Sequence, residues 1–248
     1  MNTIFSPNQS RGLPKDLEIE LDGNCYPIRL RRSSNARSIS LSADPAKREV
    51  RISLPRHASL REALSFAESK TDWLAKRFLE LPAPVAIENG SKLSFLGKEY
   101  RTSWSPEFAR KPQVVGNEIQ VGGPQNRVAD RILSWMKNRA REVYKSDLNE
   151  FCSIAKTDVP RLSVGDARRR WGSCSARGSI RLNWRLIMAP PVVRRSVVAH
   201  EVAHFRHMNH SKDFYDHLDR IFDGDRKEAD HWLKKNGNQL HAIGVKPE

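Results

Sequence analysis

Long apolar runs are missing from this sequence. The longest uncharged apolar stretch, Leu186–Val193, has eight residues and contains two prolines. A bilayer needs about 20 apolar residues in a row, so no membrane partner is expected. Residues 1–15 carry no apolar block of the kind that directs secretion and are expected to form a loose tail. Cysteine is scarce as well. Cys25, Cys152 and Cys174 are odd in number and far apart, which excludes a disulfide framework and a CxxC zinc knuckle. Reduced thiols in a cytoplasmic protein are the expectation. No fixed-period repeat and no low-complexity segment is visible. Acidic residues are few beside basic ones, 29 against 43, for a formal charge of +14. That balance points to an anionic partner, nucleic acid among the candidates.

What is present is ample for a folded protein. The chain has 248 residues, 38% of them hydrophobic, with six Trp and nine Phe. This suffices for a core without disulfides or metals as staples, in one large domain or two small ones. From Leu17 to Leu54 the pattern is strand-like, with Val50, Ile52 and Leu54 alternating with Arg51 and Ser53. Ser59 is placed to cap a helix over residues 60–80, with Leu64, Ala67, Trp73 or Leu74, and Phe78 at helical spacing. Short strands are expected at 92–95, 99–104 and 118–121, then a long helix over 127–151. A strand near 161–171 and the alternating run Ile180, Leu182, Trp184, Leu186 follow, separated by the stretch 172–178. Pro190-Pro191 opens a helix, since proline is tolerated in a first turn. The expected organisation is α+β: a tail over 1–15, a β-rich part with a helix over 16–124, and a second part over 125–248 that holds a β-hairpin and the helix opened by Pro190-Pro191.

Residues 200–204 read His-Glu-Val-Ala-His. Helical positions four apart differ by about 40° around the axis and one turn along it, so His200 and His204 can point at one metal. Glu201 is placed to hydrogen-bond a water rather than the metal. Neutral imidazoles suit Zn²⁺, and three protein ligands with an open position is the usual catalytic arrangement. His210 is the best third ligand. On a straight helix it would lie about 15 Å from His200, so the chain is expected to turn after Met208, with Asn209 adopting the left-handed conformation. Ser211 would cap the next helix, which carries Phe214, His217 or Leu218, and Ile221 at packing positions. His207 and Glu228 compete for the third place. His207 lies on the face of His200 and His204, but one more turn along a straight helix strains a tetrahedral site, so it is read as a supporting or surface residue. His217, His231 and His241 are read as structural or surface residues.

The positive charge is concentrated. Residues 161–195 hold nine arginines and one acid, Asp166, whereas residues 200–230 net −3. Either these arginines are solvated and pair with carboxylates, or they form an anion-attracting wall beside the metal site. Arg170, Arg181, Asn183 and Arg185 are the candidate substrate or anion contacts, and Cys174 is a candidate supporting or regulatory thiol.

The segments Arg170-Trp171-Gly172-Ser173-Cys174-Ser175, Leu182-Asn183-Trp184-Arg185-Leu186, Val197–His204 and Asn209-His210-Ser211 with Phe214 resemble the YgjP-like metallopeptidase family, which is related to the SprT-like and WLM proteases. The match is close over residues 168–216. The resemblance implies a zincin-like catalytic part, one zinc per chain held by His200, His204 and His210, Glu201 as catalytic base, and a polypeptide substrate. In zincin folds an edge strand beside the active-site helix pairs with an extended peptide, and the strand 179–186 is the candidate here. Metzincins share the histidine spacing but have Gly where this chain has His207. Two further readings stand beside a zinc peptidase: a zinc-dependent hydrolase of nucleotide phosphoanhydrides with arginine clamps, and a nucleic-acid-associated protein with a structural zinc. Glu201 argues against the last, because a structural site needs no base.

Overall fold

Alternation of apolar and polar side chains builds the first sheet. Leu17, Ile19 and Leu21, Ile28, and Val50, Ile52 and Leu54 are all buried on one face, as period-two patterning requires. The computed structural model describes residues 4–5, 16–44, 48–79, 82, 85–167, 170–175 and 177–244. Most of the expected tail, residues 1–15, lies outside the described residues, apart from strand β1 (Ile4–Phe5), which pairs with β2.

The chain divides into two units, 1–83 and 84–248. The first contains β2 (Leu17–Leu21), β3 (Asn24–Arg32), β4 (Ser40–Asp44) and β5 (Glu49–Leu54) in the sheet order β1-β2-β3-β5-β4. Asp22 and Gly23, both at positive φ, make the two-residue turn between β2 and β3, the turn type whose twist matches a hairpin. The expected single helix over 60–80 is two, α1 (Leu60–Glu68) and α2 (Thr71–Leu79). Ser59 caps α1 in a reciprocal capping box with Glu62. The Ser69 hydroxyl donates to the Phe66 carbonyl at 2.8 Å and ends α1. Leu74 is buried and Trp73 is about half exposed, so Leu74 is the core residue of that pair.

The second unit starts with β6 (Lys92–Phe95), β7 (Lys98–Trp104), β8 (Gln113–Val115) and β9 (Glu118–Val121), in the order β6-β7-β9-β8. The division therefore falls at 83/84 rather than near Pro124. The cause is packing: Leu93, Phe95, Ile119 and Val121 share one core with the long helix α3 (Val128–Ala155), not with the first sheet. Trp135, Met136, Ala140, Tyr144, Leu148 and Phe151 line the buried stripe of α3.

A third sheet contains β10 (Arg161–Gly165), β11 (Gly172–Ser175) and β12 (Ser179–Asn183) in the order β10-β12-β11. Two sequence expectations change here. Residues 172–175 form a strand rather than part of a linker. The run expected as an edge strand is instead central, with β12 parallel to β10 and antiparallel to β11. A short 3-10 turn over Trp184–Met188 leads to α4 (Pro191–Ala203), and α5 (Lys212–Ile221) and α6 (Arg226–Ala242) follow. The fold is α+β. Among the described residues, no helix is long and apolar enough to cross a membrane.

Candidate metal centre

Helix α4 is held by burial and by charge. Val193, Val198, Ala199, Val202 and Ala203 enter the core. Its Arg194 meets Asp147 of α3, with Nε donating to a carboxylate oxygen at 2.7 Å, and both side chains are buried. Next to it, Arg195 makes a two-pronged contact with Glu150, 2.7 Å on each arm. These carboxylates anchor the helix that presents His200, Glu201 and His204.

The helix ends at Ala203, earlier than the sequence suggests. Phe205 and Arg206 donate their N–H groups to the carbonyls of Val202 and Ala203, tight i−3 contacts that turn the chain at once. Asn209 is not in the left-handed region, so the expected conformational role falls away. The outcome is nonetheless the one the histidine spacing requires. Ser211 caps α5, its hydroxyl accepting from the Phe214 N–H, and His210 swings back over α4. His200, His204 and His210 each offer one ring nitrogen, all within 4.8 Å of one another. Phe214, fully buried, lies 5.0, 4.7 and 4.9 Å from the three imidazoles and forms the floor under them.

The donor set fits a metal ion. The Nε2 atoms of His200 and His210 are 3.1 Å apart. Two nitrogens bound to one tetrahedral zinc stand about 3.3 Å apart. His204 Nδ1 faces the His207 carbonyl at 3.1 Å. A carbonyl only accepts, so Nδ1 carries the proton and Nε2 is left bare for coordination, the usual way an outer contact fixes a ligand's tautomer. Burial and the two neighbouring histidines push the His200 pKa down to about 4, and burial first, then His210, lowers that of His204. Both rings are therefore neutral and ligand-ready near pH 7.

Glu201 is 5% exposed and sits against β11. A Cβ built on Gly172 would stand 2.7 Å from Glu201 Cγ and 2.8 Å from Cδ, so only glycine leaves room for this carboxylate. Burial pushes the Glu201 pKa up to about 7, opposed by the charge of Arg170 and by the main-chain N–H of Cys174. A carboxylate tuned this way exchanges protons readily near neutrality.

The other sequence candidates sort by the two faces of the third sheet. Gly172 and Cys174 register with Leu182 and Ile180 on the face toward Glu201. Burial, and after it the nearby Glu201 carboxylate, raise the Cys174 thiol pKa. Arg170 is exposed near Glu201. Arg181, paired with Ser163 and Ser173, points to the opposite face, so it is not a contact of this site. Asn183 and Arg185 are corrected too, since both are buried. Asn183 donates to Ala167 O at 2.7 Å and accepts from the Arg185 N–H at 3.0 Å. Arg185 pairs with Asp166 and donates to Ile243 O at 3.2 Å. They fasten the loop before β11 and the turn after β12. His207 serves through its carbonyl, while its ring lies 5.9 Å from that of His217. Glu228 is exposed in the first turn of α6 and outside the cluster.

Gly172 and the Asp147–Arg194 pair have no role expected from the sequence, and Phe214 was expected only at a packing position. Gly172 and Phe214 stand in the segments that carry the resemblance. Asp147 had no sequence signal, being 47 residues from its partner. Trp171 is positioned as well. It stacks on His241 at 4.6 Å and lies against Gly237, where a Cβ would meet its ring at 2.9 Å.

No curated protein matches the chain. Among solved structures, the metallopeptidase zymogen abylysin of Pyrococcus abyssi is similar at 21% identity, covering 37% of this chain and 93% of its own, with a TM-score of 0.34. The family description of the YgjP-like metallopeptidase domain matches residues 37–236. That span is most of the chain and takes in the whole histidine cluster, Glu201 and the strand against it: the protein belongs to the YgjP-like metallopeptidase family.

Proposed function

We propose that the chain is a zinc peptidase in which His200, His204 and His210 hold one zinc and Glu201 is the general base. The observation that carries this reading is the convergence of three imidazoles with a buried carboxylate against an edge strand. Zinc held there supplies Lewis acidity toward a water and a peptide carbonyl. The Glu201 carboxylate takes the proton of the attacking water and returns it to the leaving amine nitrogen, as a base with a pKa near the working pH does best. Gly172 admits that carboxylate, and the Cys174 N–H and the Arg170 charge keep enough of it ionised. The free edge of β11 is suited to receive an extended polypeptide by strand addition, in place of the run 179–186. The three free cysteines support a reducing, cytoplasmic setting.

A phosphoanhydride substrate calls for several guanidinium groups at the base. Of the four candidate anion contacts, Arg170 alone stands near Glu201, which favours the peptide. The test is a screen of zinc-loaded protein on an unfolded polypeptide and on nucleoside triphosphates, with Glu201→Gln as control. Polypeptide cleavage that disappears in the variant while bound metal stays at one per chain is expected. Triphosphate hydrolysis without polypeptide cleavage would overturn the reading.

A further inference from the structure

The nine arginines of residues 161–195 have separate fates. Arg185, Arg194 and Arg195 are locked to Asp166, Asp147 and Glu150, and Arg168 and Arg169 lie outside the described residues. Arg170 stands near Glu201. Arg161, Arg177 and Arg181 remain, all exposed, and none has an ion pair among the described residues.

The strand register sets Arg161 and Arg181 on one face. On the sheet face turned away from Glu201, Arg161 lies beside Ser179, which lies beside Ser175. One row along, Ser163 lies beside Arg181, which lies beside Ser173. Arg177 stands in the turn between β11 and β12, next in the chain to this edge of the sheet. These two rows contain only guanidinium and hydroxyl groups, whereas the opposite face carries Leu162, Val164, Ile180 and Leu182. The Arg181 stem runs along this face past Gly165, where an added Cβ would meet its Cδ at an ordinary 3.7 Å. The one acid in this segment, Asp166, is taken up by Arg185.

We infer that this outer face of the β10-β12-β11 sheet docks the sugar–phosphate backbone of duplex nucleic acid. Arginine forks are the donor set used on phosphate oxygens; of the hydroxyls between them, Ser163 donates to the Ile180 carbonyl and Ser175 is bonded to Ser179, so the guanidinium groups carry the contact. Single-strand binding instead relies on aromatic platforms for unpaired bases; the described residues of these two rows include no aromatic side chain, and Trp171, next to β11, is stacked on His241 and packed on Gly237. Contact through phosphates alone carries no base readout, so binding is independent of sequence and sensitive to salt. The peptidase centre, on the other face of the same sheet, is left free to act on protein near the duplex.

The test is fluorescence anisotropy of a 20-base-pair DNA duplex with full-length protein between 50 and 200 mM salt. Neutralising about three phosphates gives a slope of log affinity on log salt of about −2.7, or a loss of about 40-fold over that range. The triple variant Arg161→Gln, Arg177→Gln, Arg181→Gln should lose most of the binding and flatten the slope, with polypeptide cleavage unchanged as proof of folding. A charge-matched control, Lys98→Gln, Lys111→Gln, Lys145→Gln, should bind within twofold of wild type. Three results overturn the inference: no binding at 50 mM salt, equal loss in the control, or tight binding of poly-glutamate in place of the duplex. The last assigns the face to an acidic polypeptide.

Discussion

Gly172→Ala is the sharpest probe of the centre, because it adds one methyl group beside the proposed base and touches no metal ligand. The residue is not in the left-handed region, so alanine is allowed by the backbone and the whole effect falls on Glu201. The added Cβ would stand 2.7 Å from Cγ and 2.8 Å from Cδ, where ordinary contact begins at 3.4 Å. The carboxyl group is anchored at its own Cα in α4 and must swing aside by about 1 Å. A misplacement of that size costs about 100-fold in rate, which corresponds to about 2.7 kcal/mol of transition-state stabilisation. The assay is kcat/KM on a quenched fluorogenic peptide, run beside metal content by mass spectrometry and a melting curve. We expect a fall of about 100-fold, one zinc still bound, and little change in Tm. Glu201→Gln should fall at least as far, and the double variant should be no worse than Glu201→Gln alone, because both act on the same carboxylate. Full activity in Gly172→Ala would refute the placement of Glu201 as base. Loss of metal in that variant would refute the claim that the base and the ligands are held independently.

His210→Ala should weaken zinc affinity beyond the 10- to 100-fold typical of outer contacts, whereas His207→Ala, which keeps its carbonyl, should change it by less than about 10-fold; competition with a chromophoric chelator measures both. Asp147→Ala leaves Arg194 buried without its carboxylate and should cost about 3–5 kcal/mol, seen as a fall in Tm of about 10 °C. Iodoacetamide at pH 7.5 should label exposed Cys25 first and leave Cys152 unmodified in the native protein, since burial pushes that thiol up to about 11 and keeps it protonated; labelling of Cys152 at the rate of Cys25, read by peptide mass mapping, would contradict the packing of α3. Removing the metal with a chelator should abolish polypeptide cleavage, and zinc should restore it.

The parts of this centre that were legible in the sequence are local ones. The i, i+4 relation places His200 and His204 on one face whatever the rest of the chain does. The serine at 211 announces a new helix, which forces His210 back toward the first two. What could not be read depends on long-range pairing. Nothing near Arg185 says that Asp166, 19 residues earlier, will take its charge, and so a buried fastener looked like an anion contact. Strand order is similarly hidden. A parallel partner such as β10 leaves no turn signal beside β12, so a central strand was mistaken for an edge. The boundary near Pro124 failed for the same reason, because strands 92–121 are separated from the first sheet by what they pack on rather than by composition.

The three candidate ligands span eleven residues, with Phe214 four residues further on. Glu201 is seated by Gly172 and Cys174, about thirty residues upstream in the third sheet. Closing a loop of a dozen residues costs little entropy, so the chain can capture its metal as soon as α4 and α5 form. The base and the receiving edge are completed only when β11 reaches α4. A chain on this plan in which β11 has not reached α4 would hold its ligand set without the seat for its base, so metal binding and cleavage depend on different contacts of the fold.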